Sequence, residues 1–146
     1  MSNRLVDLNA ETYFLANEAI AELQTLNIPH ITTSTKRTLS EQSALYKQGR
    51  EKLEDVNTAR VIAGLPKIGE KENAYTVTNC DGVQIKSNHQ SGDAIDIVPF
   101  ENNRAIWPKP FDPRWKQIAD VMKNHGFIWG GDWKNFIDCP HYQRKV

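Results

Sequence analysis

The stretch from Ser87 to Val98 constrains the fold and chemistry of this chain more than any other. It reads SNHQSGDAIDIV, a histidine and a glycine followed by an aspartate at the start of an apolar run. His89 and Asp96 offer an imidazole and a carboxylate, which are both common zinc ligands. Their spacing does not fit two ligands on one helical turn. They converge if the chain leaves a strand at His89, turns at Gly92, where glycine permits a positive φ, and returns in a strand at Asp96.

A second motif, Asp138-Cys139-Pro140-His141, lies near the C-terminus. His141 can supply a third ligand, and a catalytic zinc site has three protein ligands and an open position for water. Asp138 is close enough in sequence to act as a general base, and Pro140 stiffens the link because its φ is fixed. Cys139 is not expected to bind the metal, since adjacent side chains of an extended segment point to opposite sides.

Together these motifs resemble the zinc signature of the D-Ala-D-Ala carboxypeptidase family, the VanY-like or M15 peptidases. The family pattern is matched by SxHxxGxAxD at residues 87–96 and DxxH at residues 138–141. The family also includes VanX-like dipeptidases and phage endolysins that cleave L-alanyl-D-glutamate bonds. Two further blocks, KRTLSEQSALYKQGR at residues 36–50 and GGDW at residues 130–133, resemble the endolysin branch in particular.

The resemblance implies a Zn²⁺ cofactor held by three ligands, which would be His89, Asp96 and His141. It implies that Asp138 takes a proton from the zinc-bound water and passes it to the leaving amine. Arg37 would steady the oxyanion of the transition state. From its position alone, Arg37 is better explained as a surface cation, so its functional role follows only from the resemblance.

Three supporting residues complete the predicted site. Ser87 is expected to orient a ligand or its loop, Gly92 to make the turn, and Trp133 to pack behind the ligands. The resemblance predicts hydrolysis of the L-Ala–D-Glu bond in the stem peptide of peptidoglycan, as in a phage or prophage endolysin. Two alternatives stay open: a D-alanyl-D-alanine carboxypeptidase or dipeptidase of the same fold, and a non-catalytic zinc-binding module.

Composition limits the remaining possibilities. The 146 residues contain 18 basic and 18 acidic side chains, and their scattered, balanced charges argue against a nucleic-acid partner. The length predicts a single domain covering residues 1–146, which we expect to be a monomer. We find no stretch of about twenty apolar residues and no signal-peptide pattern. We therefore expect synthesis in the cytoplasm, no membrane span, and action on the cell wall after release.

Periodicity predicts a mixture of helices and short strands. Helices are predicted over residues 9–26, 38–48, 56–65 and 113–125, and strands over 31–33, 75–78, 83–85, 96–100 and 127–129. A polar loop is predicted at residues 69–73. The order of elements favours an α+β fold with a mainly antiparallel sheet and flanking helices. The resemblance implies a fold like that of the hedgehog proteins and D,D-peptidases. The segment of residues 52–75 is longer than expected for the family and carries no assigned role.

Overall fold

The computed structural model describes residues 1–145, in which helices and short strands follow one another along the chain. The helices are α1 (Ala10–Thr25), α2 (Leu39–Lys47), α3 (Leu53–Ile62), α4 (Glu70–Asn73), α5 (Asn88–Ser91) and α6 (Pro113–Asn124). The strands are β1 (His30–Ser34), β2 (Ala94–Glu101), β3 (Arg104–Ala105), β4 (Phe127–Trp129) and β5 (His141–Arg144). Short 3₁₀ helices cover Leu5–Asp7 and Gly130–Asp132.

The five strands form one antiparallel sheet. Its order is β1-β2-β5-β4, and β3 pairs with the far end of β2 across a two-residue turn. Asn102 and Asn103 make this turn with φ of 53° and 62°, the left-handed conformation that a tight hairpin requires. The predicted α+β class with a mainly antiparallel sheet is confirmed.

The contacts divide the chain into two compact units, and the single-domain assignment for residues 1–146 stays a prediction. The first unit consists of Met1 and Arg37–Gln90 and holds α2, α3 and α4. Helix α2 begins with the predicted capping box, in which Thr38 and Glu41 satisfy each other's backbone N–H groups. Its buried side packs in a small apolar cluster of Ala44, Leu45 and Leu65.

The second unit consists of Ser2–Lys36 and the chain from Ser91 onwards, and it contains the sheet with α1 and α6. Alternation along β2 places the fully buried Ile95 and Ile97 in the core and leaves Asp96 between them on the opposite face. Tyr142 of β5 is buried in the same core. The helices contribute Leu23 of α1 and Ile118, Val121 and Met122 of α6 to this core.

Helix α6 has the ends and the buried face that its sequence predicts. Asp112 caps it by accepting a hydrogen bond from the Arg114 N–H, and Pro113 occupies the first helical position. Gly126 follows the helix with a φ of +92°, a conformation that favours glycine. In the part of the chain described here, no helix has both the length and the apolar character needed to cross a bilayer.

A half-buried carboxylate, that of Asp93, connects the beginning of β2 to α1 and to β5. It accepts hydrogen bonds from the hydroxyls of Ser91 (2.7 Å) and Thr12 (3.2 Å), from Nη2 of Arg144 (3.1 Å) and from the Asn9 side-chain amide. Burial alone would raise the pKa of Asp93, but the Ser91 and Arg144 hydrogen bonds outweigh it and lower the pKa. The entry into the strand that carries Asp96 is therefore held at several points.

Two local predictions are wrong. Residues 75–78 and 83–85 form no strands. At residues 83–85, one carboxylate oxygen of Asp81 accepts the backbone N–H groups of Val83, Gln84 and Ile85. These donors are satisfied within a local turn and are not free to build a sheet ladder. The predicted polar loop at residues 69–73 contains the short helix α4, in which Glu72 accepts from the Gly69 N–H.

Candidate metal centre

Asp96 and His141 lie opposite each other on the neighbouring strands β2 and β5. Their side chains share the sheet face that the apolar core does not use. The distance between Oδ1 of Asp96 and Nδ1 of His141 is 3.5 Å. Zinc bonds to such atoms are about 2.0–2.2 Å long, so two ligands on a tetrahedral ion are about 3.4 Å apart. The pair therefore has the separation of two ligands of one small metal ion.

His89 lies in the single-turn helix α5, so the prediction that the chain leaves a strand at this residue is wrong. The side chain is buried, the His89 N–H donates to the Ser87 hydroxyl (3.2 Å), and the His89 carbonyl accepts from the Arg37 N–H (3.0 Å). The predicted turn at Gly92 is confirmed by its φ of +79°. A Cβ atom there would lie 2.8 Å from the Asn9 backbone nitrogen, so no larger residue fits.

The three predicted ligands form a group that could hold a metal ion. His89, Asp96 and His141 each offer one ligand atom, and these atoms all lie within 4.8 Å of one another. Two imidazoles and one carboxylate are a donor set that suits zinc, and three protein ligands leave a coordination position open. Cys139 is not a member of this group, because its buried side chain packs with Val98 and Trp115.

The electrostatics of His141 are set by its acidic neighbours. Burial lowers the pKa of His141, but the hydrogen bond and charge of Asp96, followed by the charge of Asp138, outweigh burial and raise it. Negative charge at this position favours any cation, whether a proton on the ring or a metal ion beside it. The Trp133 ring lies against the His141 ring with 5.2 Å between centroids, and the supporting role of Trp133 in the site stays a prediction.

Asp138 is fixed to the strand of His141 through its backbone. The Asp138 N–H donates to the Gly130 carbonyl (3.0 Å), and the Asp138 carbonyl accepts from the His141 N–H (3.2 Å). A side chain at Gly130 would collide with the Asp138 carbonyl, so the close approach of these two segments requires glycine. The segment Gly130–Asp132, predicted as a turn, is a short 3₁₀ helix. The role of Asp138 as general base stays a prediction.

Arg37 precedes the cap of α2, and its guanidinium is held by a buried amide. Nη1 of Arg37 donates to Oε1 of Gln42 at 3.2 Å. Gln42 is completely buried, and its Nε2 donates to the Thr78 hydroxyl (3.1 Å) and the Cys80 carbonyl (2.9 Å). These two bonds fix the orientation of the Gln42 amide, and this limits the positions that the Arg37 guanidinium can take. The oxyanion role of Arg37 stays a prediction.

Two glutamines next to the predicted site residues were not identified from the sequence. Gln42 contacts Arg37, and Oε1 of Gln143 lies 2.9 Å from Nε2 of His141. A glutamine two residues after a ligand histidine shares its face if both lie on a strand. That signal becomes usable only once β5 is recognised as a strand, and no strand was predicted there.

Comparisons with known proteins find similar peptidases. Residues 81–144 match the model of a protein family described as D-alanyl-D-alanine carboxypeptidase. The peptidoglycan L-alanyl-D-glutamate endopeptidase CwlK of Bacillus subtilis (strain 168) is 31% identical over 120 residues, which cover 77% of this chain and 59% of the relative. The L-alanyl-D-glutamate peptidase of Listeria phage A118 is 31% identical over 74 residues, covering 51% of this chain and 26% of the relative. The chain thus spans less than two thirds of the length of these relatives.

The fold also occurs in a solved structure with a metal ion. The vancomycin resistance D,D-pentapeptidase VanY, solved in complex with Zn(II), superposes with a TM-score of 0.58 at 15% identity. The match covers 94% of this chain and 72% of VanY. The family match includes His89, Asp96, Asp138 and His141, whereas Arg37 lies outside it. The resemblance read from the motifs is thereby confirmed, since residues 81–144 match the model of that family and two L-alanyl-D-glutamate peptidases are similar to this chain.

Proposed function

We propose that this protein is a zinc-dependent peptidoglycan peptidase that hydrolyses the L-Ala–D-Glu bond of the stem peptide. The observation that carries the proposal is the pairing of Asp96 with His141 at 3.5 Å across two strands, with His89 offering the third ligand atom. Two imidazoles and a carboxylate form the ligand set, and the acidic surroundings of His141 favour a cation there. The cell wall is where the enzyme would meet its substrate.

Zinc, when bound, supplies Lewis acidity that polarises the scissile carbonyl and lowers the pKa of a water molecule towards about 7. Asp138 then acts as the general base, receiving the proton of the attacking water and returning it to the leaving amine. The backbone bond from the His141 N–H to the Asp138 carbonyl supports this role, because it keeps the Asp138 backbone next to a predicted ligand. Arg37, held by Gln42, donates to the carbonyl oxygen as negative charge develops on it.

The prediction that the L-Ala–D-Glu bond is cleaved rests on the similar proteins and on two sequence blocks of this chain. The two relatives described above are named for L-alanyl-D-glutamate, and one of them is a phage protein. Residues 36–50 and 130–133 resemble the endolysin branch. The predicted general base, Asp138, is an aspartate rather than a glutamate, which is also like that branch. Because the relatives are longer than the aligned region, the activity of this chain must be measured directly.

A second candidate is a D-alanyl-D-alanine carboxypeptidase. The description of the matching family and the shared fold with VanY favour it. The two reactions require the same metal and base, so the ligands cannot distinguish them. They differ in the bond that enters the site and therefore in the products.

The products of one digestion decide between the candidates. Purified muropeptides with pentapeptide stems are incubated with the zinc-loaded protein, and the fragments are identified by mass spectrometry. We expect new amino termini at D-Glu. Release of free D-Ala would replace the proposal with the carboxypeptidase function, and binding of zinc without either product would indicate a non-catalytic module. Asp138→Asn is the inactive control, and Asp120→Asn, at an exposed position on α6, controls for the loss of one charge.

A further inference from the structure

The geometry points to Gln143 as a positioning residue, and we propose that its side-chain oxygen fixes the tautomer and ring orientation of His141 so that Nδ1 is the metal-binding atom. The inference rests on the proposed zinc role of His141. It goes beyond that role because it assigns a function to a residue outside the ligand set and states which ring nitrogen binds.

The first step is the contact between the two side chains. His141 and Gln143 are two residues apart on β5 and therefore point to the same face of the sheet. Oε1 of Gln143 lies 2.9 Å from Nε2 of His141, an ordinary hydrogen-bond distance. An amide oxygen can only accept, so the hydrogen must be on Nε2. When the ring is neutral, its lone pair is then on Nδ1, where a metal ion would take the place of the hydrogen that the protonated ring directs at Asp96.

The second step is the position of Nδ1. It is the ring atom of His141 that lies 3.5 Å from Oδ1 of Asp96, the separation expected of two ligands on one zinc ion. The nitrogen left without a hydrogen by the Gln143 contact is therefore the one that faces the neighbouring ligand. A second ring partner of this kind is the usual means by which a protein orients a metal-binding histidine.

The third step concerns the room and the charge around this contact. Ala94, directly opposite Gln143 on β2, is small and completely buried, which leaves the glutamine side chain space to fold back towards His141. An amide accepts the hydrogen bond without adding negative charge to a site that already contains Asp96 and Asp138. Gln143 thus orients the ring and leaves the charge of the ligand set unchanged.

The test is the zinc affinity of variants, measured by competition with a chromophoric chelator. Gln143→Leu removes the acceptor at similar size and should weaken zinc binding about 10–100-fold, the usual effect of losing such a partner. Gln143→Glu keeps an acceptor oxygen and should stay much closer to the wild-type affinity. Gln117→Leu, the same substitution at an exposed position on α6, should bind zinc like the wild type. Equal affinities of the wild type and Gln143→Leu would overturn the proposal, as would equal losses in the Leu and Glu variants.

A second measurement does not depend on whether a variant folds. Long-range ¹H–¹⁵N spectra of the zinc-loaded wild type report which nitrogen of His141 carries hydrogen. We expect the Nε2–H form, and an Nδ1–H form would refute the inference. If zinc binds as described but no peptide bond is hydrolysed, the proposed function fails while the role of Gln143 stands. If the enzyme is active and its zinc affinity is insensitive to Gln143, only the positioning role fails.

Discussion

Replacing Asp93 by alanine removes the acceptor that joins α1, β2 and β5, and it should destabilise the protein strongly. The Asp93 side chain is 15% exposed, and its partner Arg144 is 21% exposed. A buried hydrogen bond to a charged group contributes about 1.5–3 kcal/mol, and several donors would lose this acceptor together. Arg144 keeps its bond to Glu11 (2.7 Å), which reduces the loss. We therefore expect the free energy of unfolding to fall by about 2–3 kcal/mol.

Urea denaturation at a fixed zinc concentration measures this change, because bound metal itself stabilises the folded state. For a chain of this size, each 1 kcal/mol corresponds to roughly 2–4 °C, so the melting temperature should fall by about 4–12 °C. Asp120→Ala is the matched control, since Asp120 also forms an ion pair, with Lys116 at 2.7 Å, but is 57% exposed. Its loss should cost less than about 1 kcal/mol.

The pH dependence gives the result that would refute the reasoning. The folded state lowers the pKa of Asp93 below its usual value of 3.8. A lowered carboxyl pKa stabilises the folded state above the unfolded pKa, and this contribution is lost as the pH falls through the folded pKa. The difference between the wild type and Asp93→Ala should therefore be constant near neutrality and shrink below pH 3.8. Ordinary surface substitutions change the free energy of unfolding by about 0.5 kcal/mol or less. A loss of that size in Asp93→Ala at pH 7 would show that the Asp93 charge does not stabilise this junction. A difference between the two proteins that stays the same in acid would show the same.

The remaining predictions concern the site. The purified protein should bind about one zinc per chain, and atomic absorption should find it lost in His89→Ala and in His141→Ala; full occupancy in the double variant contradicts the ligand assignment. Asp138→Asn should keep zinc and fold but lose turnover by about a hundredfold or more in steady-state assays; near-normal activity would mean that another group moves the proton. Arg37→Ala should lower kcat more than it raises KM, and an effect on KM alone would reassign it to substrate binding. Gly130→Ala should lower the melting temperature, because its Cβ meets the Asp138 backbone; an unchanged melting temperature would contradict this close approach.

Features set by neighbouring residues could be predicted from the sequence. The ends of α6 follow from Asp112, Pro113 and Gly126, whose backbone preferences act locally. The capping box of α2 is a local motif of the same kind. The candidate ligands could be predicted because imidazoles and carboxylates in this order and spacing resemble a known family. The family match confirms that resemblance over residues 81–144.

The features that were missed depend on distant partners or on competing local bonds. The segment around Asp81 has β-branched residues, but the Asp81 carboxylate satisfies its backbone donors before a strand can form. Strand β5 has a sequence, His-Tyr-Gln-Arg, with little strand preference, and it is defined by its pairing with β2 and β4. Gln143 could not be assigned a role without that pairing. The helical turn at His89 was missed although its bonds are local: the Ser87 hydroxyl accepts from the His89 N–H, and the Gln90 side chain accepts from the Ser87 N–H.

The pairing of Asp96 with His141 also determines where the chain can be lengthened. Adding one residue inside β2 or β5 would turn every following side chain to the other face, and a ligand would then point towards the core of Ile95 and Tyr142. The turn at residues 102–103 and the segment of residues 134–137 lie outside the paired strands. Insertions that serve as tags, linkers or targeting modules therefore belong at these two places, where added length leaves the register of the ligand strands unchanged.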